Sequence, residues 1–344
     1  MLISIGEILV DIFDDGNKQT TLPGGAPFNV ACNALLYTKE VGFIGTIGND
    51  ENGKLLLKTA NEKPFKFLKI KTLEDRYTSK AIVTLNNGER SFRFDRSFGA
   101  DYIFDINDID FVSIKDKDII HIGSLMLSEK EGIEFFNNLV NQIRSYSKAK
   151  ISFDINYRDD IFSSPEEAKN IFISALKKAD VLKFSLEEVE LLTGNSDLLA
   201  GLKELLSENQ IAVITLGSQG SIFYRNGYSV AVPAYPVKPV DTTGAGDAFY
   251  SYFLSSLVNH PDFINHEEEI KHYLTRANVV GGLATLKKGA INVAPKEEEI
   301  DEFLKLIWLI WFNKIILISR DNIKSFIDIH IKYWYRNVSD RLIY

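Results

Sequence analysis

The 344-residue chain has a single cysteine, Cys32. An internal disulfide is thereby excluded, and a reducing, cytoplasmic home is expected. A lone Cys on an apolar helix face reads as core and not as a nucleophile. Basic charge is also short: 39 Lys and Arg face 47 Asp and Glu, a net charge of −8. That argues against nucleic acid as the main partner, so any phosphate site must be built from local donors. No uninterrupted run reaches the roughly 20 apolar residues of a membrane span, so no membrane partner is expected. The start, Met1 to Glu7, lacks a basic segment and a cleavage site, so no signal peptide is expected. Internal repeats and low-complexity tracts are missing. What remains, 45% hydrophobic and 25% charged, is ordinary for a soluble globular protein. The length suits one large α/β domain with a smaller element, or two domains.

The patterns that are present alternate between strand and helix. Residues 2–10 (LISIGEILV) predict a first strand, and the apolar spacing from Asn29 to Tyr37 predicts a helix. Strands are expected at 118–123, 150–155, 180–184 and 211–216. Capping boxes are expected at Ser128–Glu131 and Ser185–Glu188, and Ser164-Pro165 should open another helix. Such a succession implies a parallel sheet covered by helices on both faces. Residues 80–96 break the rhythm. Two strands, 81–85 and 89–96, flank an Asn86-Asn87-Gly88 turn, with Phe92 and Phe94 on one face. Gly48 to Lys54 fits part of a phosphate-binding P-loop. Leu55, however, stands where that motif needs Ser or Thr, and Asp50 and Glu51 would repel phosphate. It is read as the first turn of a helix running to about Asn61.

The chemistry concentrates in Asp241-Thr242-Thr243-Gly244-Ala245-Gly246-Asp247. A proline-rich extended segment precedes it, and an apolar run, Ala248 to Val258, follows. Gly244, Ala245 and Gly246 let backbone N–H groups approach an anion at a helix N-terminus, where the dipole is positive. Asp247, in the same turn, can take a proton from an attacking hydroxyl. It can equally be a plain helix-capping residue.

This heptapeptide resembles the C-terminal signature of the ribokinase-like, pfkB-type carbohydrate kinases. Gly24-Gly25-Ala26-Pro27-Phe28-Asn29-Val30-Ala31 resembles their N-terminal signature, in the form most similar to fructokinases. The resemblance covers about residues 1–305. It implies a three-layer ribokinase-like α/β sandwich, with a mostly parallel central sheet and a small β lid drawn from about 11–28 and 78–100. The implied reaction moves the terminal phosphate of ATP to a primary hydroxyl of a sugar, fructose first. Asp247 would be the base, and Gly244, Ala245 and Gly246 the anion hole. Asn156 and Arg158 resemble a D-x-N-x-R element, Arg158 near the transferred phosphate. Asp11, Gly24, Gly25, Asn29 and Asn156 would orient the sugar. Lys183 and Glu188 resemble a K-x-S-x-E-E element, Lys183 toward ATP and Glu188 indirectly toward magnesium. The helical capping box explains Glu188 just as well. Thr215, Gly217, Ser218 and Gly220 resemble a nucleotide-binding loop, Gly246 would share in binding ATP, and Asn278 would neighbour the adenine. Asp241, Thr243 and Gly289 resemble a seat for a monovalent cation such as potassium. A homodimer through the lid is the expected protein partner.

Other acceptors, a 2-keto-3-deoxy sugar acid or a nucleoside, and a non-catalytic sensor on the same fold are the rival readings. The last ~40 residues, 306–344, extend past the helix expected at 296–306. They are expected to pack on the domain surface or on a second subunit.

Overall fold

In the computed structural model of the chain, residues 1–14, 19–86 and 89–317 are described. Nine strands form one sheet in the order β13-β12-β11-β10-β9-β8-β1-β4-β5. They are β1 (Leu2–Ile5), β4 (Val41–Gly48), β5 (Phe67–Leu73), β8 (Ile119–Ile122), β9 (Lys150–Asp154), β10 (Val181–Ser185), β11 (Ile211–Thr215), β12 (Ser221–Arg225) and β13 (Tyr228–Val232). From β11 to β5 every pairing is parallel; β12 and β13 close one edge antiparallel. Side chains of β1, β4 and β8 are buried on both faces, as continuous apolar runs require.

Two cores explain the layering. One face carries α1 (Ala26–Ala34), α2 (Glu51–Asn61), α7 (Ala245–Asn259) and α8 (Glu267–Ala284), packed around Phe28, Phe43 and Phe253. The other carries α3 (Lys130–Tyr146), α4 (Pro165–Leu176), α5 (Leu186–Thr193) and α6 (Leu198–Leu205), around Phe136, Phe153 and Phe184. The expected three-layer sandwich with a mostly parallel central sheet is therefore present. Gly48 to Lys54 forms the entry to α2, whose N-cap Asp50 accepts from the Gly53 N–H at 2.8 Å. The P-loop likeness is a coincidence of spacing.

Three expectations need correction. The single strand at 2–10 is two strands in different sheets: β1 ends at Ile5 and β2 (Leu9–Asp14) leaves the main sheet. Gly6 marks the bend, where a Cβ would sit 2.7 Å from Pro27 Cγ. Ser128 does not cap α3, which starts at Lys130 with Glu129 as N-cap. Its hydroxyl donates to Leu125 O and receives Arg96 instead. The first helix begins at Ala26, ahead of Asn29, because Pro27 suits an opening turn. Strand β5, with Lys69 and Lys71 among its seven residues, carried too weak an apolar signal to be expected; it is an edge strand, where lysine is at home. The caps at Ser164 and Ser185 form as expected, the second as a full reciprocal box.

A second sheet of four strands runs β3-β2-β6-β7, with β3 (Gln19–Gly24), β6 (Lys80–Asn86) and β7 (Glu89–Asp95). It is made of the stretches from which a lid was expected. The tip of the expected Asn86-Asn87-Gly88 turn and the Phe92 side chain lie outside what is described. Phe94 packs under the sheet on Leu9, Ala81 and Leu125. The last helix, α9 (Glu297–Leu317), runs past residue 306, with Trp308 61% exposed. Its side chains beyond 309, and the rest of the extension from 318 on, also lie outside the description. Among the described residues no helix is long and apolar enough to cross a membrane.

Candidate active site

The Asp241–Asp247 loop lies where the main sheet, α1, α7 and the small sheet converge. Gly244 adopts a left-handed φ of 73° as the N-cap of α7. A Cβ there would lie 2.5 Å from that of Ala290, so both backbone and space demand glycine. The first intrahelical bond is Ala248 N–H to Gly244 O, at 2.8 Å. Helix geometry thus leaves the amides ahead of Ala248 for outside acceptors. The Ala245 N–H turns back on Thr242 O at 3.3 Å. The Gly246 and Asp247 amides are therefore the pair best placed for an anion, one residue further on than the sequence suggests.

Asp247 is joined to the other end of the chain. Asn29 Nδ2 donates to Asp247 Oδ2 at 2.8 Å. Asn29 Oδ1 is buried without a partner among the described residues, an acceptor left for a ligand hydroxyl. Asp11, on β2, faces the same space, and its carboxyl is pushed up to about 7 by burial and by the nearby Asp247 charge. Gly24 lies against Asp11: a Cβ would fall 2.4 Å from Asp11 Oδ2. Gly25 takes a φ of 106° and its carbonyl receives the Asn29 N–H at 2.8 Å. The structure thus gathers Asp11, Gly24, Gly25, Asn29 and Asp247 from four elements.

The floor is ionic. Lys183 Nζ donates to both oxygens of buried Asp154, at 2.9 and 2.8 Å. Burial works against the lysine charge, but Asp154 and Glu188 outweigh it and hold Lys183 protonated. A Cβ on Gly246 would come 3.3 Å from Lys183 Cε, so this cation sits directly beneath the amide loop. The Asp247 carboxyl is raised by burial and by Asp154, against the pull of Asn29, Lys183 and Arg158. A base whose affinity for a proton is raised suits a hydroxyl donor. Asp154 is the residue that sequence reading passed over as a site member. Its signal was there, as the first residue of the D-x-N-x-R element that Asn156 and Arg158 complete.

Asn156 follows with a φ of 40°, a left-handed strain that Asn tolerates and that clusters at functional turns. Arg158 donates to Tyr157 O at 2.8 Å and is half-buried. Glu188 places one oxygen on the Tyr157 N–H at 2.9 Å and the other on the Ser185 N–H at 2.6 Å. No group of three or more His, Cys, Asp or Glu able to hold a metal occurs among the described residues. With both oxygens already held by backbone N–H groups, Glu188 would be left to act on a metal only through water.

Thr215 ends β11, its hydroxyl donating to Phe184 O at 3.3 Å, and the exposed Gly217 and Ser218 follow in a short turn closed by Gly220. Asn278, on α8, spends its amide on the Val232 and Pro233 carbonyls, tying that helix to the end of β13. Asp241 ties two loops together, accepting from the Thr243 N–H at 2.9 Å and the Gly289 N–H at 3.1 Å.

Known proteins resemble this chain over most of its length. The sequence pattern of the pfkB family carbohydrate kinases matches residues 2–297. A probable fructokinase-2 of Arabidopsis thaliana is 31% identical over 317 residues, 89% of this chain and 96% of that protein. The fructokinase of Vibrio cholerae O395, solved with fructose, ADP and calcium, superposes with a TM-score of 0.79 at 30% identity. The match spans 88% of this chain and 98% of that one. The Xylella fastidiosa fructokinase with bound ATP gives 0.78 at 26% identity, over 88% and 98%.

Proposed function

Because the chain belongs to the pfkB family of carbohydrate kinases and is an ATP-dependent sugar kinase, we propose that it phosphorylates fructose at its primary 6-hydroxyl. The observation that carries the reading is the Asn29–Asp247 bond, which brings both signature stretches to one helix mouth. Asp247 takes the proton as the hydroxyl oxygen bonds to the γ-phosphorus. The bond to the β,γ-bridging oxygen breaks, and ADP leaves. The Gly246 and Asp247 amides, with the rest of the Gly244–Gly246 loop, hold the charge on the phosphoryl group, and Arg158 offers a guanidinium beside it. Asp11, Gly24, Gly25, Asn29 and Asn156 orient the sugar, and the small sheet covers it against water. Thr215, Gly217, Ser218 and Gly220 line the nucleotide side, with Asn278 holding its wall. Lys183 serves ATP from below the loop rather than by reaching into the cleft. Magnesium, when bound, neutralises phosphate charge. The Asp241, Thr243 and Gly289 loops form the seat for potassium, and a second copy packs against the small sheet.

Consumption of ATP over a panel of sugars tests this. A signal confined to fructose supports the assignment. A signal confined to a 2-keto-3-deoxy sugar acid or a nucleoside replaces the acceptor, and binding without turnover favours the sensor reading.

A further inference from the structure

The loop after β9 does more than present Asn156 and Arg158. Two residues past Arg158, the Asp160 Oδ2 accepts the backbone N–H of Phe94 at 2.6 Å. Phe94 lies on β7, the outer strand of the small sheet, which among the described residues has no strand on its far side. Ile161, next to Asp160, packs with Phe94 on the same small cluster of Leu9, Ala81 and Leu125.

The sheet's other attachments are of a different kind. At its base, buried Asp101 receives Ser79, ahead of β6, and Arg96, just past β7, and Arg96 also reaches Ser128. These residues are mostly shielded from water, so they form a fixed hinge. The Asp160 bond is exposed to solvent and spans two separate bodies of the fold. An exposed bond to a carboxylate shifts an equilibrium by roughly tenfold, enough to bias a movement and not enough to freeze it.

We propose that Asp160 is a positioning residue that latches the free edge of the small sheet over the sugar, from the loop that also supplies Arg158. This rests on the reading of that sheet as the cover of a sugar site. With the latch open, water takes the place of the sugar. Its oxygen bonds to the γ-phosphorus, the bond to the bridging oxygen breaks, ADP and inorganic phosphate leave, and the proton passes to Asp247 and then to solvent.

Two variants of the full chain test the latch. Asp160→Asn keeps an oxygen able to accept the Phe94 N–H; Asp160→Ala has none. With fructose and magnesium–ATP, Asp160→Ala should raise the ADP released per sugar phosphate formed. It should also raise the fructose KM by roughly five- to tenfold, with kcat nearly unchanged. Asp160→Asn should stay near the parent. Hydrogen exchange without ligands should show the Phe94 amide opening about tenfold faster in the Ala variant only. Unchanged coupling and KM in Asp160→Ala, or an equal defect in Asp160→Asn, would overturn the proposal. Should the parent not act on fructose, the acceptor assignment fails by itself. Exchange then decides the latch: protection lost in Ala and kept in Asn upholds it, and protection kept in both refutes it.

Discussion

The Asp241–Asp247 loop is fastened from below by buried partners, whereas the small four-stranded sheet is fastened at one base and along one edge. The loop sits on the Lys183–Asp154 pair, is held sideways by Asn29 and is closed behind by Asp241. The sheet hangs from Arg96 and Asp101, and its outer strand meets the Arg158 loop through Asp160. Under the proposed function, the contrast follows from what each would have to do. Donors that stabilise a transition state gain from being set in place beforehand, because no reorganisation is then needed at the moment of reaction. A cover over a substrate has to open, so its contacts must be few and individually weak.

That contrast can be broken most severely at the loop. Asp247→Asn keeps the shape and the Asn29 contact surface but cannot take a proton, and kcat should fall roughly a hundredfold or more. Near-normal turnover in this variant would mean that the carboxylate is not the base. Gly244→Ala should come next. It forces a non-glycine residue to a φ of 73° and drives a Cβ to 2.5 Å from that of Ala290. A loss of about 2 kcal/mol in stability is expected, with turnover down about tenfold. Calorimetry and steady-state kinetics on the same sample would check both, and an unshifted melting point would show that the loop is looser than described.

The smallest effect on activity is expected at the bend between the two regions. Glu7 is fully buried, its carboxyl oxygens unpartnered among the described residues, and burial pushes it up to about 8. The folded state therefore keeps a proton that the unfolded chain releases above about 4.5. Between those values the unfolded state binds fewer protons, so stability falls as pH rises. Glu7→Gln mimics the protonated acid. From about pH 5 to about pH 8 the parent should lose on the order of 3 kcal/mol that the variant retains, with sugar turnover little changed. Denaturant titrations at the two pH values would measure it. Equal pH dependence in both proteins would show Glu7 to be ionised in the fold.

Much of this was legible beforehand because it is local. The reciprocal cap at Ser185 and Glu188, the Pro165 start and the Asp50 entry to α2 need only neighbours in sequence. The start of α7 at Gly244 was legible for the same reason: small residues ahead of an apolar helical run mark a helix mouth by themselves. Residues 2–10 were misread because their apolar pattern runs on across Gly6, and only Pro27 and Gly123, pressed against that glycine, show why the chain must turn. Ser128 was misread because a distant Arg96 claims its hydroxyl.

The sequence by itself determined the class of chemistry, through the family resemblance carried by two short stretches, Gly24–Ala31 and Asp241–Asp247. Only the tertiary structure decided who surrounds them. Lys183 and Asp154 stand on neighbouring strands, Asn29 lies 218 positions from Asp247, and Asp160 meets Phe94 across 66. Charge pairing and burial act through space over a few ångströms, and spacing along a chain carries no record of which strands will lie side by side.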